Sequence, residues 1–309
     1  MPSENNMENL FFLEFILNKN CNKQCSYCDL LTKGITTKAE IDIDYIDWLI
    51  NNIPTDNLFI ELTGGEPGLV SNLPEIVQML KSANNVKRIQ LMSNGLVRIN
   101  YPDLIAEVDM YNEHFIDKIV DSTIKTFYPI EIAQQKNIRN VVVLDKVTTV
   151  SILENYEYFE QFGLFNEDNY WLKMFVPRSN DIDAEHIAHI IKLCTKLDTN
   201  YSNFCKQQLT TMDDDARLTC MYTSFLPSID IEDKKILHCA YHNFTDRYEY
   251  ECTSENLDRL INKTLFKDIT ATYCEDCYLY YTAPEFLKAP NKQNRRAYLP
   301  ADSNSILYI

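Results

Sequence analysis

Six short apolar runs alternate with segments of helical period over residues 10–197, and this alternation commits the chain to a parallel sheet with helical crossovers. The runs are 10–17, 58–62, 86–91, 110–116, 140–144 and 170–176. Between them, residues 39–53 place Ile43, Ile46, Ile50 and Ile53 on one helical face, and residues 72–83 do the same with Leu73, Ile76, Val77 and Leu80. Shorter helical segments are expected at 102–108 and 152–162. The last helix, 183–197, lines up Ile187, Ile190, Ile191 and Cys194. Cys194 therefore reads as a core thiol, since free cysteine behaves as a small buried hydrophobe. His186 and His189 flank that stripe and read as surface residues. Right-handed crossovers curl such a sheet toward a barrel. Periodicity alone leaves an open sheet and a partial barrel both open.

Three motifs sit at the carboxyl ends of the first three runs. Cys21, Cys25 and Cys28 follow the first run at C-x3-C-x2-C spacing. Three thiolates this close can hold three irons of a 4Fe–4S cluster and leave one iron open, or hold a zinc ion. The second run ends in Leu-Thr-Gly-Gly-Glu-Pro, residues 62–67. Gly64 and Gly65 lack a Cβ and let the backbone approach a ligand, and Glu66 offers an acceptor-only carboxylate suited to an ammonium. The third run ends in Met-Ser-Asn-Gly, residues 92–95, with Ser93 and Asn94 as further polar candidates. In a parallel sheet all three motifs meet at one end, where α/β barrels place their active sites.

In this order the motifs resemble those of the radical S-adenosylmethionine (SAM) superfamily, with Tyr27 as the aromatic before the last cysteine and the GGEP run intact. The resemblance implies a partial (β/α)6 TIM-like barrel over residues 1–210. It implies that Cys21, Cys25 and Cys28 bind a 4Fe–4S cluster whose open iron takes the amine and carboxylate of SAM. Gly64, Gly65, Glu66, Pro67, Ser93 and Asn94 would contact SAM. One electron then cleaves SAM to a 5′-deoxyadenosyl radical, which takes a hydrogen atom from a substrate. Glu113, in the fourth run, is either an exposed edge residue or, by the resemblance, a polar SAM contact from the fourth strand.

The pattern changes near residue 200, and after an acidic turn at 211–215 cysteines return: Cys220, Cys239, Cys252, then Cys274 and Cys277 as C-x2-C. Residues 226–239 read as a hairpin turning at Glu232–Asp233–Lys234. By spacing alone, Cys220, Cys239, Cys274 and Cys277 fit a zinc ribbon or an iron–sulfur site equally. The resemblance favours an auxiliary 4Fe–4S cluster in a small cysteine-rich twitch domain, the shortened form of SPASM, over residues 211–287. The glycine of the SPASM pattern is replaced by Lys234, and its last two cysteines are absent at Ala283 and Leu287. Cys252 is a spare thiol, a substitute ligand, or a hydrogen-atom donor to a substrate radical. His238 and His242 beside Cys239 read as surface residues with a possible base role. The tail, 288–309, folds over the barrel mouth or acts as a docking segment.

The net charge is -16, and an acidic chain repels phosphate backbones, which argues against nucleic acid as partner. Ten cysteines with no apparent secretory segment point to metal chemistry in a cytoplasmic protein rather than to disulfides. No apolar run approaches the roughly 20 residues a bilayer span needs. The expected function is a radical SAM oxidoreductase. It performs a two-electron oxidation, a dehydrogenation or cross-link, on a small molecule, with the auxiliary cluster as electron acceptor and a reducing partner such as flavodoxin or ferredoxin. Two rivals stand beside it: radical modification of a peptide or protein side chain, and a non-catalytic iron–sulfur or zinc binding protein.

Overall fold

The computed structural model describes residues 11–23, 32–33, 39–94, 110–113, 138–143, 146–161, 170–173, 184–197, 227–237 and 249–266. Every expected run is a strand: β1 (Phe11–Ile16), β4 (Leu58–Thr63), β5 (Val86–Ser93), β6 (Met110–Glu113), β7 (Ile138–Val143) and β8 (Tyr170–Lys173). Two short strands, β2 (Asn20–Cys21) and β3 (Thr32–Lys33), pair in parallel just past β1. The described residues fall into two compact units.

In the first unit β1, β4, β5 and β6 lie side by side, all parallel. Helix α1 (Ile43–Asn52) links β1 to β4, and α2 (Leu73–Ser82) links β4 to β5. The Asp42 side chain caps α1 by accepting from Tyr45 N at 3.1 Å. Pro74 opens α2, where a missing N–H costs nothing. α2 buries Leu73, Ile76, Val77 and Leu80, the stripe its period predicts. Each such side chain contributes about 2 kcal/mol relative to exposure. In α1 the stripe is rotated: Tyr45, Ile46, Leu49 and Ile50 are buried, while Ile43 is half-buried at the first helical position.

The hairpin of the C-terminal half joins the same sheet. β9 (Ser228–Asp230) pairs in parallel with β1, and β10 (Lys235–Leu237) and β11 (Glu249–Glu251) continue antiparallel. The first unit therefore carries a mixed sheet in the order β11-β10-β9-β1-β4-β5-β6. Its turn holds Lys234 at φ 55, the left-handed region that glycine favours. Lys234 compensates through its side chain: Nζ lies 3.2 Å from Asp42 Oδ2 and 4.4 Å from the centre of the Tyr45 ring. A last helix of this unit, α6 (Ser254–Ile261), is capped by Thr253 Oγ1, which accepts from Asn256 N at 3.2 Å.

In the second unit β7 and β8 pair in parallel. Helix α5 (Ala184–Leu197) follows its expected segment, whereas the single helix expected at 152–162 is two, α3 (Lys146–Glu154) and α4 (Tyr156–Gln161), and begins at Lys146. Cys194 is fully buried, as a core thiol should be. His186 corrects the sequence reading: it is only 1% exposed, whereas Ile191 is half-buried. The inward stripe is His186, Ile190, Leu193 and Cys194, an i, i+4, i+7, i+8 set. The imidazole thus takes a place the hydrophobic pattern had assigned to isoleucine. His189 is half-buried rather than exposed. Tyr156 pins α4 to α5, donating to Lys196 O at 3.2 Å while Lys196 Nζ sits 3.7 Å above its ring.

Among the described residues, no helix is long and apolar enough to cross a membrane. The expected helix at 102–108 lies outside the described residues.

Candidate functional site

The site grows out of the carboxyl ends of β1, β4 and β5. After β1 the ladder continues one residue further, with Leu17 N donating to Thr63 O at 2.9 Å. Asn18 is then fully buried and turns the chain: its Oδ1 accepts from Asn20 N at 2.8 Å. Its Nδ2 donates to Glu66 O at 3.1 Å. Gly65 N donates to Asn18 O at 2.7 Å and Glu66 N to Asn20 O at 2.8 Å. The GGEP segment is thereby zipped, backbone to backbone, onto the segment that leads into Cys21.

The two glycines meet a demand of the chain itself. A Cβ on Gly65 would lie 2.0 Å from Asn20 O, and one on Gly64 would lie 2.5 Å from Asn18 O. Gly64 also has φ 133. The close approach they permit is to the chain's own Asn18–Asn20 backbone.

Glu66 is fully buried at the centre of the junction. Its Oε1 accepts from Gly68 N at 2.8 Å and from Ser93 Oγ at 2.7 Å. Its Oε2 accepts from Asn94 N at 2.7 Å. Hydrogen bonds to a carboxylate are about twice as strong as neutral ones, so this single side chain ties the end of β4 to the end of β5. Pro67 begins a one-turn 3-10 helix (Pro67–Leu69) that the Glu66 side chain caps. Asn94 reaches onward, donating through Nδ2 to Asn22 Oδ1 at 2.8 Å and to Cys21 Sγ at 3.6 Å. Cys21 itself is buried. At the backbone, Ser93 is in register with Glu113 on β6.

The structure thus brings together Cys21, Gly64, Gly65, Glu66, Pro67, Ser93 and Asn94, with the Glu113 backbone on the adjoining strand. Cys25, Cys28, Cys220, Cys239, Cys274, Cys277, His238 and His242 lie outside the described residues. The sequence reading missed Asn18 and Asn22. The signal was present, since an asparagine just past an apolar run is a turn former that bonds its own backbone two residues on.

It also missed Lys19. Its Nζ binds Asp230 Oδ2 at 3.0 Å and Asp233, and its backbone N donates to Glu232 Oε2 at 3.2 Å. Burial works against the Lys19 ammonium, but Asp233 and Asp230 outweigh it and hold the pKa above its usual range. The hairpin turn therefore grips the chain two residues before Cys21. Burial raises the Glu232 carboxyl above its usual range, with the Lys19 backbone N–H and charge opposing.

Cys252 sits elsewhere. Its backbone N donates to Lys234 O at 3.0 Å, just past β11. β11 stands three strands from β1, about 14 Å at the usual strand spacing. Its thiol lies beside Tyr45 of α1, and burial pushes it up to about 11. Burial also raises the Tyr45 hydroxyl. The folded chain holds the Cys252 proton to higher pH than the unfolded chain. Its contribution to stability is present below the ordinary thiol value of 9.0 and is lost as pH rises through 11. Iodoacetamide labelling of Cys252, followed by peptide mass spectrometry, is expected to rise with a midpoint near 11. A midpoint at or below 9.0 would contradict burial as the controlling factor.

No family model matches the chain. A GTP 3',8-cyclase of Stenotrophomonas maltophilia (strain R551-3) is 31% identical over 88 residues, which are 27% of this chain and 26% of that protein. The match therefore spans about a quarter of that curated relative. Among solved structures, anSMEcpe with bound AdoMet is similar with a TM-score of 0.55 and 14% identity, covering 84% of this chain and 80% of that one. Streptococcus suis SuiB bound to precursor peptide SuiA has a TM-score of 0.57 and 12% identity, covering 91% of this chain and 73% of that one. SuiB is also known bound to S-adenosylmethionine. At these identities the likeness is one of fold: the chain has the α/β fold of these proteins, with a mixed sheet.

Proposed function

We propose that this chain is a radical SAM enzyme. One observation carries the reading. Glu66 of the GGEP segment and Cys21 of the cysteine motif are joined through Asn94 into one buried junction, at the carboxyl ends of three parallel strands. The fold, shared with proteins seen bound to AdoMet, supports it.

The described part of the site fits a cluster. Cys21 is buried and its Sγ faces an amide donor, Asn94 Nδ2. Cys21, Cys25 and Cys28 would hold the 4Fe–4S cluster, which supplies the electron that cleaves SAM. The protein's own part is positional. The zip between Asn18–Asn20 and Gly65–Glu66 keeps the cysteine segment at a set distance from GGEP. Glu66 spends its carboxylate on Gly68, Ser93 and Asn94, so it orders the SAM-binding backbone in addition to any direct contact. Gly64, Gly65, Pro67, Ser93 and Asn94 would line the place for SAM, with Glu113 on the adjoining strand as a further candidate. A group held this way reacts from a fixed geometry, and about an ångström of slack is costly.

The reading extends to a partial barrel over 1–210 and a twitch-like domain over 211–287, with Cys220, Cys239, Cys274 and Cys277 on an auxiliary 4Fe–4S cluster. Support comes from Lys234, which replaces the pattern's glycine and adopts the positive φ a glycine would. With an electron acceptor present, the favoured outcome is a two-electron oxidation of a small molecule, with a flavodoxin or ferredoxin as reductant. Modification of a peptide side chain is the second reading, because the fold neighbour SuiB is seen bound to a precursor peptide.

Anaerobic reconstitution followed by iron analysis and a 5′-deoxyadenosine assay with dithionite tests this. About eight irons per chain and release of 5′-deoxyadenosine are expected. About four irons and one zinc with cleavage retained would remove the auxiliary electron acceptor. Loaded clusters with no cleavage would reject the enzyme reading.

A further inference from the structure

Asn94 is held by its backbone and aims its side chain at a cysteine. It follows β5 directly and is half-buried. Its backbone N donates to Glu66 Oε2 at 2.7 Å, a bond that does not depend on the side chain at this position. Its Nδ2 donates to Asn22 Oδ1 at 2.8 Å and to Cys21 Sγ at 3.6 Å, within reach of the larger sulfur atom. An amide NH2 has two hydrogens, and the two acceptors take one each. With Cys21 as a thiolate, the reversed amide would set Oδ1 against two acceptors, so the hydrogen-bond network assigns the NH2 to the sulfur.

Cys21 reaches this place by other bonds. Asn20 and Cys21 form β2, in register with Thr32 and Lys33 of β3. Asn20 O accepts from Glu66 N at 2.8 Å, and Lys19 is bound to Asp230 and Asp233 of the hairpin turn. The Asn94 amide therefore meets the sulfur without being the main thing that brings it there. A side chain of this kind acts on the electronics of the sulfur more than on its position.

Hydrogen bonds to ligating sulfurs and exposure to solvent are two of the levers that set an iron–sulfur potential. Three thiolates leave a 4Fe–4S cluster with a net negative charge, and reduction adds one more. A donor aimed at a ligating sulfur interacts more strongly with the more negative form. It therefore favours the reduced cluster and raises the potential. Water does the same when it is admitted. Losing the Asn94 donor and loosening the cysteine segment thus move the potential in opposite directions.

We propose that Asn94 tunes the cluster on Cys21, its Nδ2–H donating to the Cys21 thiolate and raising the reduction potential so that a one-electron reductant can load it. The inference rests on the radical SAM reading for the presence of the cluster, and on the Asn94–Cys21 contact for the direction of the effect. Asn22 is a positioning residue, since it takes the other hydrogen and fixes the amide plane.

The test is a potentiometric titration of the anaerobically reconstituted chain, without SAM, read by electron paramagnetic resonance. The signal of the Cys21 cluster is the one missing from the Cys25→Ala/Cys28→Ala chain. Asn94→Leu is of similar size, keeps the backbone bond to Glu66 and has no donor. It should lower the midpoint by about 59 mV, a tenfold fall in the one-electron reduction constant. Asn94→Gln keeps an NH2 and should recover more than half of that shift. Asn22→Ala should lower the midpoint by a smaller amount, and the exposed Glu255→Gln should leave it unchanged. An unchanged or raised midpoint in Asn94→Leu overturns the proposal. If Asn94→Leu loads no iron at this site, Asn22→Ala decides, and an unmoved midpoint there overturns it. Loss of iron in both variants would assign Asn94 to holding the segment and also overturn it. Release of 5′-deoxyadenosine with a midpoint that neither variant moves sinks this inference alone. The expected shifts without release in the unaltered chain sink the proposed function alone. An unaltered chain that assembles no cluster on Cys21 sinks both.

Discussion

Gly65→Ala is expected to leave a folded chain that no longer loads iron at the Cys21 site. The added Cβ would lie 2.0 Å from Asn20 O, a backbone atom that cannot swing aside as a side chain end could. Either the GGEP turn or the Asn18–Cys21 segment must retreat. Retreat breaks the bonds from Gly65 N to Asn18 O and from Glu66 N to Asn20 O. Each is worth about 1 kcal/mol net, and forced overpacking adds about 1–3 kcal/mol. Both are small beside the stability of a whole domain but large for one loop. Circular dichroism should therefore show native secondary structure, with melting lowered by several degrees. Iron at the first cluster and 5′-deoxyadenosine release should both fall at least tenfold. Wild-type iron content and cleavage in this variant would show that the zip does not position the cysteine loop.

Glu66→Gln is the second large effect, and it separates two roles of one residue. The side chain keeps its shape but gains an NH2 in place of an oxygen. One terminus can still accept from Gly68 N and Ser93 Oγ, and the other now presents a donor to the donor Asn94 N. Leaving that buried donor unsatisfied costs about 1–3 kcal/mol. Asn94 should then drift from Asn22 and Cys21. We expect at least a tenfold drop in 5′-deoxyadenosine release, together with a lower melting temperature and an altered electron paramagnetic resonance signal of the reduced cluster. If Glu66 acted solely through direct contact with SAM, the apparent affinity for SAM would fall while melting and the resonance signal stayed unchanged. That outcome would remove the ordering role assigned to its carboxylate.

Local pattern was a good guide wherever the answer depended on neighbours along the chain. The α2 stripe of Leu73, Ile76, Val77 and Leu80 is buried as its period requires. Cys194 is buried for the same reason. Pattern failed where a helix could rotate by a fraction of a turn. Tyr45 and Leu49 replace Ile43 on α1, and His186 takes an inward place on α5. Hydrophobicity ranks histidine below isoleucine, but a 3.6-residue period leaves adjacent positions close together on the wheel, and packing chooses between them.

The site divides along the same line. The strand–helix alternation and the motifs that end each strand were legible from the chain alone, because side-chain periodicity and turn chemistry act over a few residues. It also marked Cys21, Glu66, Ser93 and Asn94 as residues to watch. What they touch depends on how the folded strands meet. Gly64 and Gly65 admit the backbone of Asn18 and Asn20, and the Glu66 carboxylate accepts from Gly68, Ser93 and Asn94. Glu14, Glu61, Gln90 and Ser228 appear along the chain as isolated polar residues in apolar strands. They become one row because strand register sets residue 14 beside residues 61 and 228. Register between distant strands is fixed by how whole elements pack, and no local pattern carries that information.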